Sequence, residues 1–130
     1  MLDRAQIDAV HWQQARPPFG APVEPGAIVQ DLDDLKQCMR SALETVQGSC
    51  PLAPLRGLRL DDFRDRPMSA RRLILGAAVR ECLERDVPRV EVDAVQVEMA
   101  AVDRIVLDIA WRPRGDVAAE FRSFRMTLRV

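Results

Sequence analysis

The sequence predicts an α+β fold in which two main helices pack on one face of a mainly antiparallel sheet of three to four strands, with an extended N-terminal arm. Three observations predict this class. Prolines and glycines cluster in residues 1–30, apolar residues then recur at helical spacing, and apolar residues alternate after Pro88. The 130 residues suit one compact domain. We therefore divide the chain into an arm, residues 1–30, and an α+β domain, residues 31–130.

The arm contains four prolines, which exclude a continuous helix or a central strand: Pro17, Pro18, Pro22 and Pro25. Its first part, Ile7–Gln14, is compatible with a short helix. Trp12 and Phe19 are large apolar side chains suited to docking on a neighbouring protein, and they argue against the alternative of a disordered leader. We expect the arm to be dispensable for folding and needed for assembly.

The first helix is predicted to begin at Asp31 and to end near Gly48. Asp31 can accept hydrogen bonds from the free amides of the first turn, and a glycine favours the end of a helix. Apolar residues recur at spacings of three and four: Leu32, Leu35, Met39, Leu43 and Val46. The stretch between Gly48 and Pro67 has no sustained period, which predicts an ordered loop.

A second helix is predicted from Ser69 to about Arg85. Ser69 is a favourable N-cap residue, and Met68 before it is placed to contact Leu73 in a hydrophobic staple. The apolar residues cover more than one helical stripe, which predicts burial on two sides: Leu73, Ile74, Leu75, Ala77, Ala78, Val79, Cys82 and Leu83.

Three strands are predicted after Pro88, because apolar residues alternate with polar ones in three successive stretches. In the first stretch the alternation slips by one residue at Ala94–Val95, which indicates a β-bulge. The second apolar face ends before Pro113. The third belongs to residues 124–130, whose open edge could pair with an extended segment of a partner. Arginines on that strand are the alternative, since charged side chains blunt an edge.

Composition limits the class of function. Nineteen basic and twenty acidic side chains give a net charge of -1, without the positive excess that a nucleic-acid-binding surface needs. No apolar run approaches the roughly 18 residues of a membrane-spanning helix. The three cysteines form no C-x-x-C pair, which favours a reduced cytosolic protein. We therefore expect neither a nucleic-acid partner nor a membrane partner.

Catalytic patterns are scarce. His11 is the single histidine, and no phosphate-binding loop, zinc motif or dinucleotide motif is present, so we expect no cofactor and no enzymatic activity. A glycan hydrolase working with two carboxylates is the alternative, with Glu81 and Glu84 on one helix face. Neighbouring arginines explain these carboxylates as surface charge pairs. A phosphate contact at Arg71–Arg72 or Arg64–Arg66 is a further alternative, which the interleaved aspartates disfavour.

Four segments, in order, resemble one protein family. Residues 31–40 read DLDDLKQCMR, with the acidic start of the family's first helix, and residues 45–57 read TVQGSCPLAPLRG, like the family loop with its regularly spaced glycines and prolines. Residues 65–69 read DRPMS, like the entry to the second helix, and residues 87–90 read VPRV, where the family carries Glu-Pro-Arg. From Asp31 to about Arg112 the chain thus resembles the phage baseplate assembly protein W family, the small wedge proteins or sheath initiators of contractile tails, which are related to the type VI secretion baseplate.

Two departures accompany the resemblance. Val87 stands at the glutamate of Glu-Pro-Arg, and Arg56 stands where an aromatic residue usually precedes the loop glycine. The first leaves no carboxylate at this position for a salt bridge to a partner, and the second removes an aromatic side chain from the packing of the loop.

The resemblance implies a structural component of a virion tail baseplate, present in the host cytoplasm during assembly. Its partners would be the larger wedge subunits and the tail sheath protein, with tail tube or hub proteins as further candidates. The label "tail lysozyme" used in this family names the alternative, a peptidoglycan hydrolase. The residues expected to contact partners are Pro88, Arg89, Gly48, Pro51, Pro54, Gly57, Trp12, Phe19, Phe124, Arg125, Met126, Thr127, Leu128, Arg129 and Val130.

Overall fold

A computed structural model describes residues 11–16, 21–22, 24–115 and 120–129. Within them the predicted α+β class is confirmed, with two main helices, a one-turn helix and two antiparallel sheets. In chain order the elements are β1 (Trp12–Gln14), β2 (Ile28–Gln30), α1 (Asp31–Glu44), α2 (Asp61–Arg64), α3 (Met68–Asp86), β3 (Val90–Ala101), β4 (Arg104–Pro113) and β5 (Arg122–Arg129). The chain divides into two compact units, Met1–Cys38 and Met39–Val130.

The first unit contains a two-stranded antiparallel sheet, in which β1 pairs with β2 from Trp12–Gln30 to Gln14–Ile28. The prediction of a short helix over Ile7–Gln14 is therefore wrong for residues 12–14, and its residues 7–10 lie outside the described part. Pairing with β2 satisfies the backbone that a helix would have satisfied internally. The side-chain amide of Gln37 adds to this by donating to the Gln14 carbonyl at 2.8 Å and accepting from the Arg16 amide at 2.8 Å.

Helix α1 begins at Asp31, as predicted, and ends at Glu44, four residues before Gly48. It ends there because the chain that follows takes up a different pairing: Val46 forms an isolated parallel bridge with Leu58. The Thr45 hydroxyl donates to the Ser41 carbonyl at 2.7 Å and so satisfies one carbonyl of the last turn. In the second unit, the buried residues of α1 are Met39, Ala42 and Leu43.

The second unit contains a three-stranded antiparallel sheet in the order β3-β4-β5. Its register shifts between Val92 and Ala94, which confirms the predicted β-bulge. The guanidinium of Arg80 on α3 donates to the carbonyl of Asp93 at this bulge. One face carries the apolar side chains of all three strands, and its fully buried members on the central strand are Ile105, Leu107, Ile109 and Trp111.

Helix α3 packs on β3, and Gly76 brings the helix close to the strand, because a Cβ there would lie 4.0 Å from the Val95 carbonyl oxygen. The predicted N-cap Ser69 is wrong. Pro67 occupies the cap position in an extended conformation, and its carbonyl accepts from the Ala70 and Arg71 amides at 3.0 and 3.1 Å. The predicted staple is also wrong, since Met68 and Leu73 are both largely exposed.

Burial of α3 on two sides is not observed within this chain, and burial of the second side by a partner stays a prediction. Its buried residues form one stripe at spacings of four, three and one: Leu75, Val79, Cys82 and Leu83. Within this chain the prediction failed because apolar residues also occupy the outward positions, which composition cannot separate from the buried ones. None of the helices in the described residues is long and apolar enough to span a membrane.

Candidate partner-binding surfaces

The loop between α1 and α2 is ordered by its own backbone. The Leu58 amide donates to the Thr45 carbonyl at 2.9 Å, and the Gln47 amide donates to the Leu58 carbonyl at 3.2 Å, which closes the base of the loop. Across it, the side-chain amide of Gln47 donates to the Leu55 carbonyl at 3.1 Å. We call residues 45–58 together with Arg85 and Asp86 the loop corner.

Gly57 is the residue at which the loop meets the end of α3. Its φ is +106°, and a Cβ on it would lie 2.4 Å from the Thr45 carbonyl oxygen, so only glycine fits without displacement of the backbone. Its amide donates to Asp86 Oδ2 at 2.9 Å, and its carbonyl accepts from Arg85 Nη2 at 2.8 Å. The backbone amide and the backbone carbonyl of Gly57 are thus both hydrogen-bonded to side chains of α3.

The Asp86 carboxylate links these contacts. Its side chain is only 7% exposed, and Arg85 Nε donates to Oδ1 at 3.0 Å. Burial alone would raise the pKa of Asp86, but the Arg85 hydrogen bond and the Gly57 amide outweigh it and hold that pKa below its ordinary value of 3.8. Burial, followed by the neighbouring Asp86 charge, raises the pKa of the Cys82 thiol to about 12, so Cys82 remains protonated.

Three of the four loop residues predicted to contact partners are exposed, namely Gly48, Pro51 and Pro54, whereas Gly57 is buried. The prediction missed the large apolar side chains beside them. Leu52 is 101% exposed and Leu55 is 67% exposed. Their position in a Pro- and Gly-rich loop that lacks apolar periodicity was the available signal, since core leucines normally belong to a periodic element.

An open depression of about 490 Å³ lies at the loop corner. Its lining residues come from the loop and from the end of α3: Ala53, Pro54, Leu55, Arg56, Arg85 and Asp86. The loop segment that resembles the family loop and the end of α3, which leads to Pro88, therefore border the same depression.

Pro88 and Arg89 connect α3 to β3. Pro88 is exposed and Arg89 is half-buried, and the Arg89 carbonyl accepts from the Arg114 amide at 2.8 Å. Glu91, two residues after Arg89, forms a two-pronged ion pair with Arg112 at 3.0 and 3.1 Å. This hydrogen bonding lowers the pKa of Glu91. A partner contact at Arg89 stays a prediction.

Strand β5 is an edge strand, because among the described residues it pairs only with β4. Phe124, Met126 and Leu128 are buried, while Arg125, Thr127 and Arg129 are exposed, as the alternation predicts. Val130 lies outside the described residues. Arg125 lies 3.7 Å from Glu98, and both side chains are largely exposed, which makes this a weak pair on the solvent face.

Trp12 and Phe19 are the two aromatic residues of the arm that were predicted to contact partners. Trp12 lies in β1 and is 64% exposed, as docking on a partner requires. Phe19 lies outside the described residues.

The carboxylates considered for a hydrolase do not form a recognisable acid-base pair. Glu81 and Glu84 are exposed on α3. Among the described residues, the carboxylates whose pKa shifts are Asp86 and Glu91, and both pKa values shift downward. A general acid in glycan hydrolysis requires the opposite shift. In the part of the chain that the structure describes, no group of three or more His, Cys, Asp or Glu side chains is placed to hold a metal ion.

Comparison with known proteins bears on the fold of the chain. No family model and no curated protein matches the chain. A crystal structure described as "putative tail lysozyme from Geobacter sulfurreducens" is similar, with a TM-score of 0.62 and 23% sequence identity over 75% of this chain and 89% of that chain. At this level of identity the likeness shows that the two chains share a fold.

Proposed function

We propose that this chain is a structural component of a contractile phage tail baseplate that binds larger wedge subunits and presents a sheet edge on which the tail sheath begins to assemble. The fold shared with the Geobacter sulfurreducens protein supports a tail-related role. The four ordered segments that resemble the baseplate W family support the specific assignment. In this role the protein acts by binding alone and needs no cofactor.

The observation that carries the proposal is the pair of exposed leucines on a fixed loop. Neighbouring exposed apolar side chains that form a patch on an ordered surface mark protein interaction sites. Here Leu52 and Leu55 project from a loop whose base is closed by backbone hydrogen bonds and whose end is held at Gly57 by Arg85 and Asp86. A loop ordered before binding loses less conformational entropy when it docks, which favours association.

Co-purification with the wedge subunits encoded beside this chain tests the wedge contact. We expect Leu52→Asp and Leu55→Asp to abolish capture while leaving the melting temperature unchanged, because both side chains are exposed. Leu73→Asp is the matched control, since Leu73 is a comparably exposed leucine on α3. Capture that survives both loop changes, or that Leu73→Asp removes equally, contradicts a contact at this loop.

Arg89→Glu examines the second predicted wedge contact. We expect capture to be lost with little change in the melting temperature, because an arginine at the start of the sheet can pair with a partner carboxylate through two parallel hydrogen bonds. A variant that no longer folds would assign Arg89 a structural role.

The sheath contact is proposed for β5. Its apolar side chains anchor the strand on the core, while the second edge of its backbone is unpaired within the described residues, so an extended segment could add to it as a further strand. Thr127→Pro removes a backbone donor from this strand. Particles that contain the folded variant should form baseplates without sheath, and normal sheath polymerisation on them would exclude β5 as the template.

A peptidoglycan hydrolase is the second candidate, and the name of the Geobacter sulfurreducens protein is what favours it. The test is clearance of a peptidoglycan suspension by the purified chain. We expect rates equal to those of buffer, because the described carboxylates whose pKa values shift, Asp86 and Glu91, both favour the charged form and are not prepared to donate a proton at neutral pH. Clearance that disappears in Glu81→Gln or Glu84→Gln would replace the structural proposal.

A further inference from the structure

We propose that the depression at the loop corner receives an acidic segment of a partner protein, in which a carboxylate pairs with Arg56 and an adjacent apolar side chain packs against Leu55. The inference deepens the wedge contact and rests on that proposed function. It assigns a chemical class to the partner segment, which neither the resemblance nor the shared fold supplies.

The negative charge inside the depression is already neutralised. Asp86 Oδ1 accepts from Arg85 Nε at 3.0 Å, and Asp86 Oδ2 accepts from the Gly57 amide at 2.9 Å and from Arg85 Nη2 at 3.3 Å. Arg85 in turn donates to the Gly57 carbonyl at 2.8 Å. These two side chains therefore hold the wall of the depression and contribute little net charge to an incoming ligand.

Arg56 supplies the remaining charge. Its side chain is exposed, and its guanidinium forms no hydrogen bond or ion pair with any of the described residues. Its backbone amide donates to the Ala53 carbonyl at 3.0 Å and fixes its position. With Arg85 and Asp86 cancelling, the lining has one uncompensated positive charge. A guanidinium matches a carboxylate in geometry, so the complementary ligand is acidic.

The apolar part of the site is next to this charge. Leu55 lines the depression and is 67% exposed, and Pro54 adjoins it. A purely ionic ligand would leave these surfaces in water, whereas an aliphatic side chain beside the carboxylate would bury them. The two features together specify a segment in which aliphatic and acidic residues are neighbours.

Titration of the isotope-labelled full chain with short synthetic peptides tests this directly. Three peptides share the same leucines and differ in carrying aspartate, asparagine or lysine between them. We expect only the aspartate peptide to shift the backbone amide signals of Ala53, Leu55, Arg56 and Gly57 at submillimolar concentration. Raising the salt concentration should weaken its binding. Arg56→Glu should raise its dissociation constant by about tenfold or more, because a like charge then faces the ligand. Arg56→Lys should retain part of the affinity.

The matched control is Arg72→Glu, which makes the same charge change on exposed helix surface about 20 Å along α3 from Arg85. If Arg72→Glu weakened peptide binding equally, the effect of Arg56→Glu would come from the net charge of the protein, and the proposal would be overturned. It would also be overturned by tighter binding of the lysine peptide, signal shifts confined to other regions, or no shift at millimolar peptide. The peptide titration contains no wedge subunit, so it is independent of the capture experiment. If the peptides do not bind, the wedge contact can still be tested by capture of the subunits. If capture fails, the peptide result still stands.

Discussion

The three-stranded sheet and the loop corner belong to the same compact unit but are fixed by different physical means. The sheet is held by burial, since β4 places Ile105, Leu107, Ile109 and Trp111 in the core and each neighbour strand follows its alternation. The loop corner is held by a few polar contacts to one glycine. Loss of a single polar group should therefore have little effect on the stability of the sheet. In the loop corner, the same loss removes one of only a few contacts.

This contrast explains which parts of the fold could be predicted from sequence. Alternation defined the three strands after Pro88 and even the bulge near Ala94, because side-chain direction in a strand follows directly from residue number. The fold class followed from the same patterns. The edge position of β5 also agrees with the expectation of an open sheet.

Other features required information that no periodicity carries. The hydrogen bonds from Asp86 and Arg85 to Gly57 join residues far apart in sequence, so no local pattern announces them. The exposure of Leu52 and Leu55 is a different case, because the lack of apolar periodicity in their loop was a local signal that the prediction did not use. The strand at Trp12–Gln14 was missed because its partner, Ile28–Gln30, lies beyond the prolines that dominate this part of the chain.

The largest expected effect concerns the sheet. Trp111→Ala should lower the free energy of unfolding by about 3–5 kcal/mol, because the side chain is fully buried and its removal leaves a cavity. Urea denaturation measures the change. Trp12→Ala is the matched control and should cost far less, since Trp12 is 64% exposed. Equal losses from the two changes would contradict burial as the main source of stability in the sheet.

The next effect concerns the glycine of the loop corner. Gly57→Ala should cost about 2–4 kcal/mol, because it combines a left-handed backbone with a Cβ placed 2.4 Å from the Thr45 carbonyl oxygen. Gly48→Ala isolates the cost of the left-handed backbone, since the φ of Gly48 is +90° and a Cβ there meets nothing within 4 Å. It should cost only about 1 kcal/mol. If thermal unfolding showed equal costs, close packing at Gly57 would not matter.

A smaller effect is expected from the carboxylate that binds Gly57. Asp86→Asn should lower the free energy of unfolding near neutral pH by about 1–3 kcal/mol through loss of charge-assisted hydrogen bonds. The pKa of Asp86 is lower in the folded chain than its ordinary value of 3.8, so its contribution is fully present above that value and is lost as the pH falls through the folded pKa. Denaturation of both proteins between about pH 6 and pH 2 should show the difference shrinking on acidification. A difference that is constant with pH would mean that the charge of Asp86 does not stabilise the loop corner.

The smallest effect belongs to the ion pair on the outer face of the sheet. Glu91 and Arg112 have the geometry of a two-pronged pair, but the Glu91 side chain is 43% exposed, so water already solvates its carboxylate. Glu91→Gln should therefore have the smallest effect on the free energy of unfolding of the four changes. Arg112 also lies over the Phe121 ring, with 4.6 Å between the guanidinium carbon and the ring centroid, so Arg112→Gln removes a second interaction as well. A double-mutant cycle of the two changes separates the pair from the ring contact, and its coupling energy should fall as salt is added. A coupling as large as the loss from Trp111→Ala would show that polar contacts fix the sheet as they fix the loop corner, and the distinction between the two regions would no longer hold.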